Sequence, residues 1–329
     1  MSTVALSPDA EAIVLLCSAL ALSRKAAPRP LAPKEWDSLA ATIHDSELRT
    51  PSALFQLSAG DIAGSLGVSR ETARRLEGLL ARGGQLAIEL DQLSTRGIWI
   101  VTRADESYPS LFRSRLKATA PPLLFGAGDP AAIANHSVAV VGSRDADEAS
   151  TAFATALGRS CARNGLAVVS GAARGVDSAA MLAAADAGGI AIGVVAEALE
   201  RAVRRQDLRA HIADRELTLI AAQHPAAGFS VGGAMGRNRL IYCLAEAAVV
   251  VASGQSGGTR AGALENLKAG WVPLFVRDGS DAPPGNRELL EAGGLAITRD
   301  DLTGDSLGER LRDTPAVNYQ PTLEEAAAD

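Results

Sequence analysis

Between Ser137 and Val276 the chain alternates short, continuously apolar runs with longer mixed segments, and this alternation narrows the fold more than any other feature. Ser137–Val141, Leu166–Ser170, Ile190–Val195, Leu217–Ala222, Ala247–Val251 and Val272–Val276 read as strands, the last of these closing the series. Glu148–Asn164, Ser178–Ala187, Leu240–Glu246 and Arg260–Ala269 read as helices between them. Strands that are apolar on both faces must be covered on both faces, as in a parallel sheet wound by crossover helices. The expected fold is therefore α/β: a Rossmann-like, doubly wound, mostly parallel sheet over residues 95–299. Aromatic residues make up only 4% of the chain, so its core must be built from Ala, Val, Leu and Ile.

Residues 1–85 read differently, as a small all-helical domain. Ser7-Pro8-Asp9 opens a helix with a capping hydroxyl, a first-turn proline and an acid at the positive dipole end. Asp61–Ser69 followed by Arg70–Leu80 has helix-turn-helix spacing, with Arg70, Thr72, Arg74 and Arg75 on the second helix. That spacing fits a reader of duplex DNA, a weak backbone or partner contact, and plain packing alike.

The formal net charge is -6, and its location matters more than its size. Residues 1–135 carry 14 basic and 14 acidic side chains, and residues 136–299 carry 16 of each. Residues 300–329 carry 2 basic and 8 acidic ones and are expected to form a frayed acidic tail. A local basic cleft is allowed and a global basic field is not.

Several chemistries lack their residues. Cys17, Cys161 and Cys243 are far apart in apolar contexts, which predicts buried thiols in a reducing compartment. His44, His136, His211 and His224 show no metal-ligand spacing. No dinucleotide fingerprint, Walker loop or nucleophile elbow is present, so no cofactor and no catalytic residue is assigned. The apolar run Ala12–Leu22 is too short to span a bilayer and lacks a basic signal region, so a cytoplasmic location is expected.

Three loops follow strands: Val141-Gly142-Ser143-Arg144, Ser170-Gly171-Ala172-Ala173-Arg174-Gly175-Val176-Asp177, and Ser253-Gly254-Gln255-Ser256-Gly257-Gly258-Thr259-Arg260. In a doubly wound sheet such loops share the carboxyl edge where ligands bind. Glycines let backbone amides approach a ligand, the following helix adds partial positive charge, and Arg144 and Arg174 can grip phosphate with paired bonds. Gly236-Arg237-Asn238-Arg239, placed just before a helix, adds a further anion-facing element. The candidate phosphate site is Gly142, Ser143, Arg144, Ser170, Gly171, Arg174, Gly175, Arg237, Asn238, Arg239, Ser256, Gly257, Gly258 and Thr259. Asp177 is expected to orient Arg174 or cap the next helix.

Gly142-Ser143-Arg144, the run from Ser170 to Asp177, and Arg237-Asn238-Arg239 resemble, in this order, signature segments of the DprA/Smf DNA-processing proteins. Tyr108-Pro109 and Pro121-Pro122-Leu123-Leu124-Phe125-Gly126 are similar to that family's lead-in, and the resemblance runs from about Gly97 to Gly293. It implies a non-enzymatic homodimer that binds single-stranded DNA and helps load the RecA recombinase, notably in natural transformation. It also implies phosphate contacts for Ser143, Arg144, Ser170, Arg174, Arg237 and Arg239. Three departures stand out. Gly232–Gly236 lacks the aromatic expected before Arg237, which predicts a cleft without a base-stacking platform; Glu197 is expected near the cleft; and the Ser256–Arg260 loop differs from the usual small-residue loop.

Other functions share these features. A nucleotide sensor would use the same loops, and a nucleoside-monophosphate phosphoribohydrolase would use Glu265 after Gly257-Gly258-Thr259. A helix-turn-helix regulator would need Arg70–Arg75 to read duplex DNA.

Overall fold

Each apolar run from Ser137 onward becomes a strand with a buried face on either side in the computed structural model, which describes residues 6–22, 28–303 and 307–315. The chain divides into two compact units. One runs to Gly126 and takes in Ala222–Pro225; the other comprises Ala127–Ala221 and the chain from Ala226 on.

The first unit contains α1 (Pro8–Cys17), α2 (Pro33–Asp45), α3 (Ala59–Leu66), α4 (Arg70–Leu80) and α5 (Gly83–Thr95), then β1 (Ile98–Thr102), α6 (Ser110–Leu116) and β2 (Leu123–Ala127). The expected caps form: Ser7 Oγ accepts from the Ala10 amide, and Ser69 Oγ accepts from Thr72 at the start of α4. Gly67 ends α3 in the left-handed conformation and gives the tight turn between α3 and α4. Arg75 departs from the reading of a cationic helix face. Its guanidinium donates to Arg29 O, Pro30 O and Glu35, which holds the Glu35 carboxyl down at about 2. Arg70 and Arg74 are the exposed arginines of that helix. Strands β1 and β2, which the sequence reading grouped with the α/β domain, lie in this first unit, apart from the last residue of β2.

The second unit is the expected doubly wound sheet. Its strands are β3 (Ser137–Gly142), β4 (Ala167–Ser170), β5 (Ala191–Val194), β6 (Leu217–Ala221), β7 (Ala247–Ala252), β8 (Leu274–Arg277) and β9 (Leu295–Ile297). They stand in the order β6-β5-β4-β3-β7-β8-β9, every neighbouring pair parallel. The order reverses between β3 and β7, with Val138 beside Ala247 and Val140 beside Val249. The crossovers are α7 (Glu148–Arg163), α8 (Val176–Asp186), α9 (Leu199–Ala202), α10 (Gln206–Ala213), α11 (Val231–Leu244), α12 (Gly258–Ala269) and α13 (Pro284–Glu291). Val, Ala, Leu and Ile of the strands form the core, as the scarcity of aromatics required.

Three expectations need correction. Leu274–Arg277 is not the last strand, because β9 adds three residues beside it. Arg237, Asn238 and Arg239 do not precede a helix but sit inside α11, which starts at Val231 with Ser230 Oγ capping the Gly233 amide. The acidic stretch after Asp300 is not frayed throughout. It forms α14 (Leu307–Asp313), with Leu302, Leu307 and Leu311 buried, while Asn318–Asp329 lies outside the described residues. Among the described residues no helix is long and apolar enough to cross a membrane, and no group of His, Cys, Asp and Glu could hold a metal ion.

Candidate functional site

Three adjacent strands deliver their carboxyl-end loops to one cleft in the second unit. β3 supplies Arg144, β4 supplies Gly171–Arg174 and β5 supplies Glu197. Arg205 arrives from the turn before α10, Phe229 from the segment before α11, and Arg237 from within α11. The cavity they line measures about 450 Å³.

Arg237 is the buried cation of the site, 9% exposed. Its Nη1 lies 3.9 Å from Asp177 Oδ2, and its Nε, also buried, has no hydrogen-bond partner. A buried donor left unmade costs about 1–3 kcal/mol, so such an atom points to a ligand or a function. Burial pulls the Arg237 guanidinium below its ordinary range, Asp177 opposes that, and the positive charge of Arg144 adds to it. The Arg144 and Arg237 guanidiniums thus disfavour each other's charge.

Asp177 is the buried counter-charge. Burial pushes its carboxyl up to about 6, against the pull of Arg237, the Ser170 hydroxyl and the Ala173 and Gly171 amides. It stands beside Arg237 and close to Gly171. It does not orient Arg174, whose Nη2 pairs instead with Asp145 at 2.7 Å. Both partners of that pair are mostly exposed, at 74% and 80%, and an exposed pair is worth at most about 1 kcal/mol, so a phosphate can displace Asp145.

The second loop takes its shape from two glycines. Gly175 has φ +83, and a Cβ there would stand 2.4 Å from Ser143 O, so the first and second loops touch only because it is glycine. Gly171 would place a Cβ 1.5 Å from Arg237 Nη1. Gly142 ends β3 against Val176, and the Ser143 hydroxyl accepts from the Asp145 amide.

The other expected site residues are placed differently. Ser170 is fully buried and donates to Val140 O at 2.5 Å, so it supports the loop and does not present a hydroxyl to a ligand. Arg239 Nε pairs with Glu265 at 2.5 Å, and Asn238 Nδ2 donates to Gly258 O at 3.2 Å. Ser256, Gly257, Gly258 and Thr259 do not line the cleft. Their loop is tied elsewhere, through Ser253 N to Asn286 and through Arg260 to Glu288. Two of the three glycine-rich turns thus line the cleft, and the third reaches α11 through Gly258 without lining it.

Two lining residues escaped the sequence reading. Arg205 donates through Nη1 to Ala172 O at 2.5 Å and is held by Asp207. Phe229, 56% exposed, lies with its ring centroid 5.8 Å from the Arg144 guanidinium carbon. The expectation of a cleft without an aromatic is corrected by this residue. Its signal lies in the sequence: Phe229 stands in the short Gly228–Ser230 segment immediately before α11, a few residues upstream of Gly232 and Gly233. Glu197 lines the cleft as expected.

Fold and cleft together define a Rossmann-like α/β protein with an arginine-lined cleft beside an exposed aromatic. Residues 99–301 match the family model described as DNA recombination-mediator protein A, and the chain belongs to that family. A DprA-type DNA processing protein of Mycobacterium tuberculosis is 32% identical over 248 residues, covering 70% of this chain and 63% of the relative's own length. DNA processing protein DprA of Bacillus subtilis is 27% identical over 221 residues, covering 65% and 73%. The X-ray structure of DprA from Streptococcus pneumoniae superimposes with a TM-score of 0.63 at 22% identity, over 85% of this chain and 98% of that one. A solved structure of DprA from Helicobacter pylori, described for its single-stranded DNA binding mode, superimposes with a TM-score of 0.55 at 24% identity, over 66% and 96%.

Proposed function

We propose that this chain binds single-stranded DNA in the cleft between the β3, β4 and β5 loops, and that it acts in DNA processing and recombination without turning over a substrate. The observation that carries the reading is Arg237. It is a buried guanidinium with an unpaired Nε, grouped with Arg144 and Arg174 at a glycine-lined wall and with an exposed Phe229. Guanidinium and amide donors suit the phosphates of a strand, and the aromatic suits an unstacked base, which a duplex does not offer. Arg144, Arg174 and Arg237 are the assigned phosphate contacts, with Gly171 and Gly175 allowing close backbone approach. The M. tuberculosis and B. subtilis relatives, both DNA processing proteins by description, support the DNA-processing part of this reading, and a homodimer that helps load the RecA recombinase is its extension.

A nucleotide sensor on the same cleft is the competing reading, because one phosphate and one base would fill a cavity of this size. The phosphoribohydrolase alternative is less favoured, since Glu265 pairs with Arg239 and is not among the residues that line the cleft. Titration of a fluorescent oligo-dT separates these. The expected result is binding that weakens steeply with salt through counterion release, with poor competition by duplex of equal length. Mononucleotide binding without oligonucleotide preference would establish the sensor, and release of free base from AMP the hydrolase.

A further inference from the structure

The second loop contains a conformation its residue does not favour. Ala172 has φ +50, in the left-handed region that L-residues other than glycine and asparagine rarely enter. Ala172 is buried, and its carbonyl oxygen receives Arg205 Nη1 at 2.5 Å. Arg205 is itself fixed by a two-point contact with Asp207, Nε to Oδ1 at 3.2 Å and Nη2 to Oδ2 at 2.6 Å. Its side chain is 27% exposed, and three of its donor positions are committed within the protein. A strained backbone residue persists only where its surroundings over-determine it, and here the over-determining group is a charged donor on the carbonyl.

We infer that Arg205 is a positioning residue of the proposed DNA cleft: by clamping the Ala172 carbonyl it holds the second loop in the form that keeps Gly171 beneath Arg237 and Arg174 at the cleft. Asp207 fixes the clamp. The inference rests on the single-stranded DNA reading for its consequence and on the Ala172 geometry for its existence. Without the clamp the Ala172 peptide returns to an ordinary conformation, and the loop no longer offers Gly171 to the Arg237 guanidinium. Substituting Ala172 by glycine removes the conformational preference the clamp has to overcome, so Ala172→Gly should make Arg205 dispensable.

The test compares Arg205→Ala, Asp207→Asn, Ala172→Gly and the double variant Arg205→Ala/Ala172→Gly, using labelled oligo-dT at several salt concentrations. Arg205→Ala is expected to weaken binding about tenfold, equivalent to about 1.4 kcal/mol. The slope of affinity against salt should be unchanged, because no phosphate contact is lost. Asp207→Asn should weaken binding less, again at constant slope, and the double variant should return to within about twofold of Ala172→Gly alone. A fall in slope of about 0.7, the value for one phosphate on a single strand, with no recovery in the double variant, would make Arg205 a direct contact and overturn the inference. Amide hydrogen exchange at Gly171–Arg174 tests the clamp without DNA: faster exchange in Arg205→Ala supports it, and unchanged exchange overturns it. If the parent protein bound no oligo-dT while exchange still accelerated, the DNA reading would fail and the clamp would stand.

Discussion

The guanidinium of Arg237 occupies the space a side chain would fill at Gly171: a Cβ there would fall 1.5 Å from Nη1 and 2.6 Å from Asp177 Oδ2. The glycine at the head of the second loop is therefore fixed less by its backbone angles than by a charged group on another element. Gly171→Ala must push the guanidinium away or shift the loop. It should reduce oligo-dT affinity by at least about tenfold, and overpacking should cost about 1–3 kcal/mol of stability. Fluorescence anisotropy and thermal melting on the same preparation read both effects. Unchanged affinity would show that Arg237 does not engage the strand.

Asp177 makes the cleft sensitive to pH. Its carboxyl is pushed up to about 6 by burial, from an ordinary 3.8. Below about 6 it takes up a proton and the counter-charge beside Arg237 disappears, so the cleft becomes more cationic. Oligo-dT affinity should therefore rise as pH falls from 7.5 to 5.5, and Asp177→Asn should bind more tightly at pH 7.5 with that rise abolished. The stability linkage has the same direction. Between 3.8 and about 6 the folded protein holds a proton that the unfolded chain has released, so this group favours folding as pH falls through that window. Asp177→Asn should remove this component from the pH dependence of melting, read as the difference between variant and parent.

The sheet was legible because continuous apolar runs bounded by glycine have few other uses, and the Ser143-Arg144 and Gly171–Arg174 loops followed from the strand ends they sit on. Local sequence could not show α11. Gly232, Gly233 and Gly236 lower helix propensity at its start, so Arg237 and Arg239 read as a helix entrance when they lie a turn or more inside it. That displacement decides their fates: Arg237 turns into the cleft, and Arg239 turns to Glu265. The third glycine-rich loop misled for a different reason. It has the chemistry of an anion site, but it follows β7, across the switch point from β3, β4 and β5, and is fastened to α13. Arg205 and Phe229 reach the cleft from connections whose path no periodicity specifies. The strand β9 is only three residues long, too short for a pattern.

Arg144, a proposed phosphate contact, is exposed and makes no ion pair among the described residues, so it has little structural duty. Arg144→Ala should lower oligo-dT affinity and reduce the salt slope by about 0.7, with melting unchanged. A loss of melting temperature without a change in slope would assign the arginine to the fold. Arg174→Ala should behave similarly but more weakly, because Asp145 loses its partner and a competing charge pair disappears at the same time.

Phe229 separates a base-stacking cleft from a purely ionic one. More than half of its surface is exposed, a large apolar surface left open beside Arg144. If a base stacks there, Phe229→Ala should cost about 1–3 kcal/mol against oligo-dT, the usual worth of one aromatic platform. The same variant should bind an abasic deoxyribose-phosphate strand of equal length as the parent does, because that strand has phosphates and no base to stack. Equal loss on both strands would mean that the ring serves to hold the Arg144 guanidinium, a contact worth about 0.5–1 kcal/mol at an exposed site. Phe229→Leu sharpens the distinction: it keeps apolar contact, loses the aromatic face, and should fall between parent and alanine on oligo-dT while leaving the abasic strand unaffected.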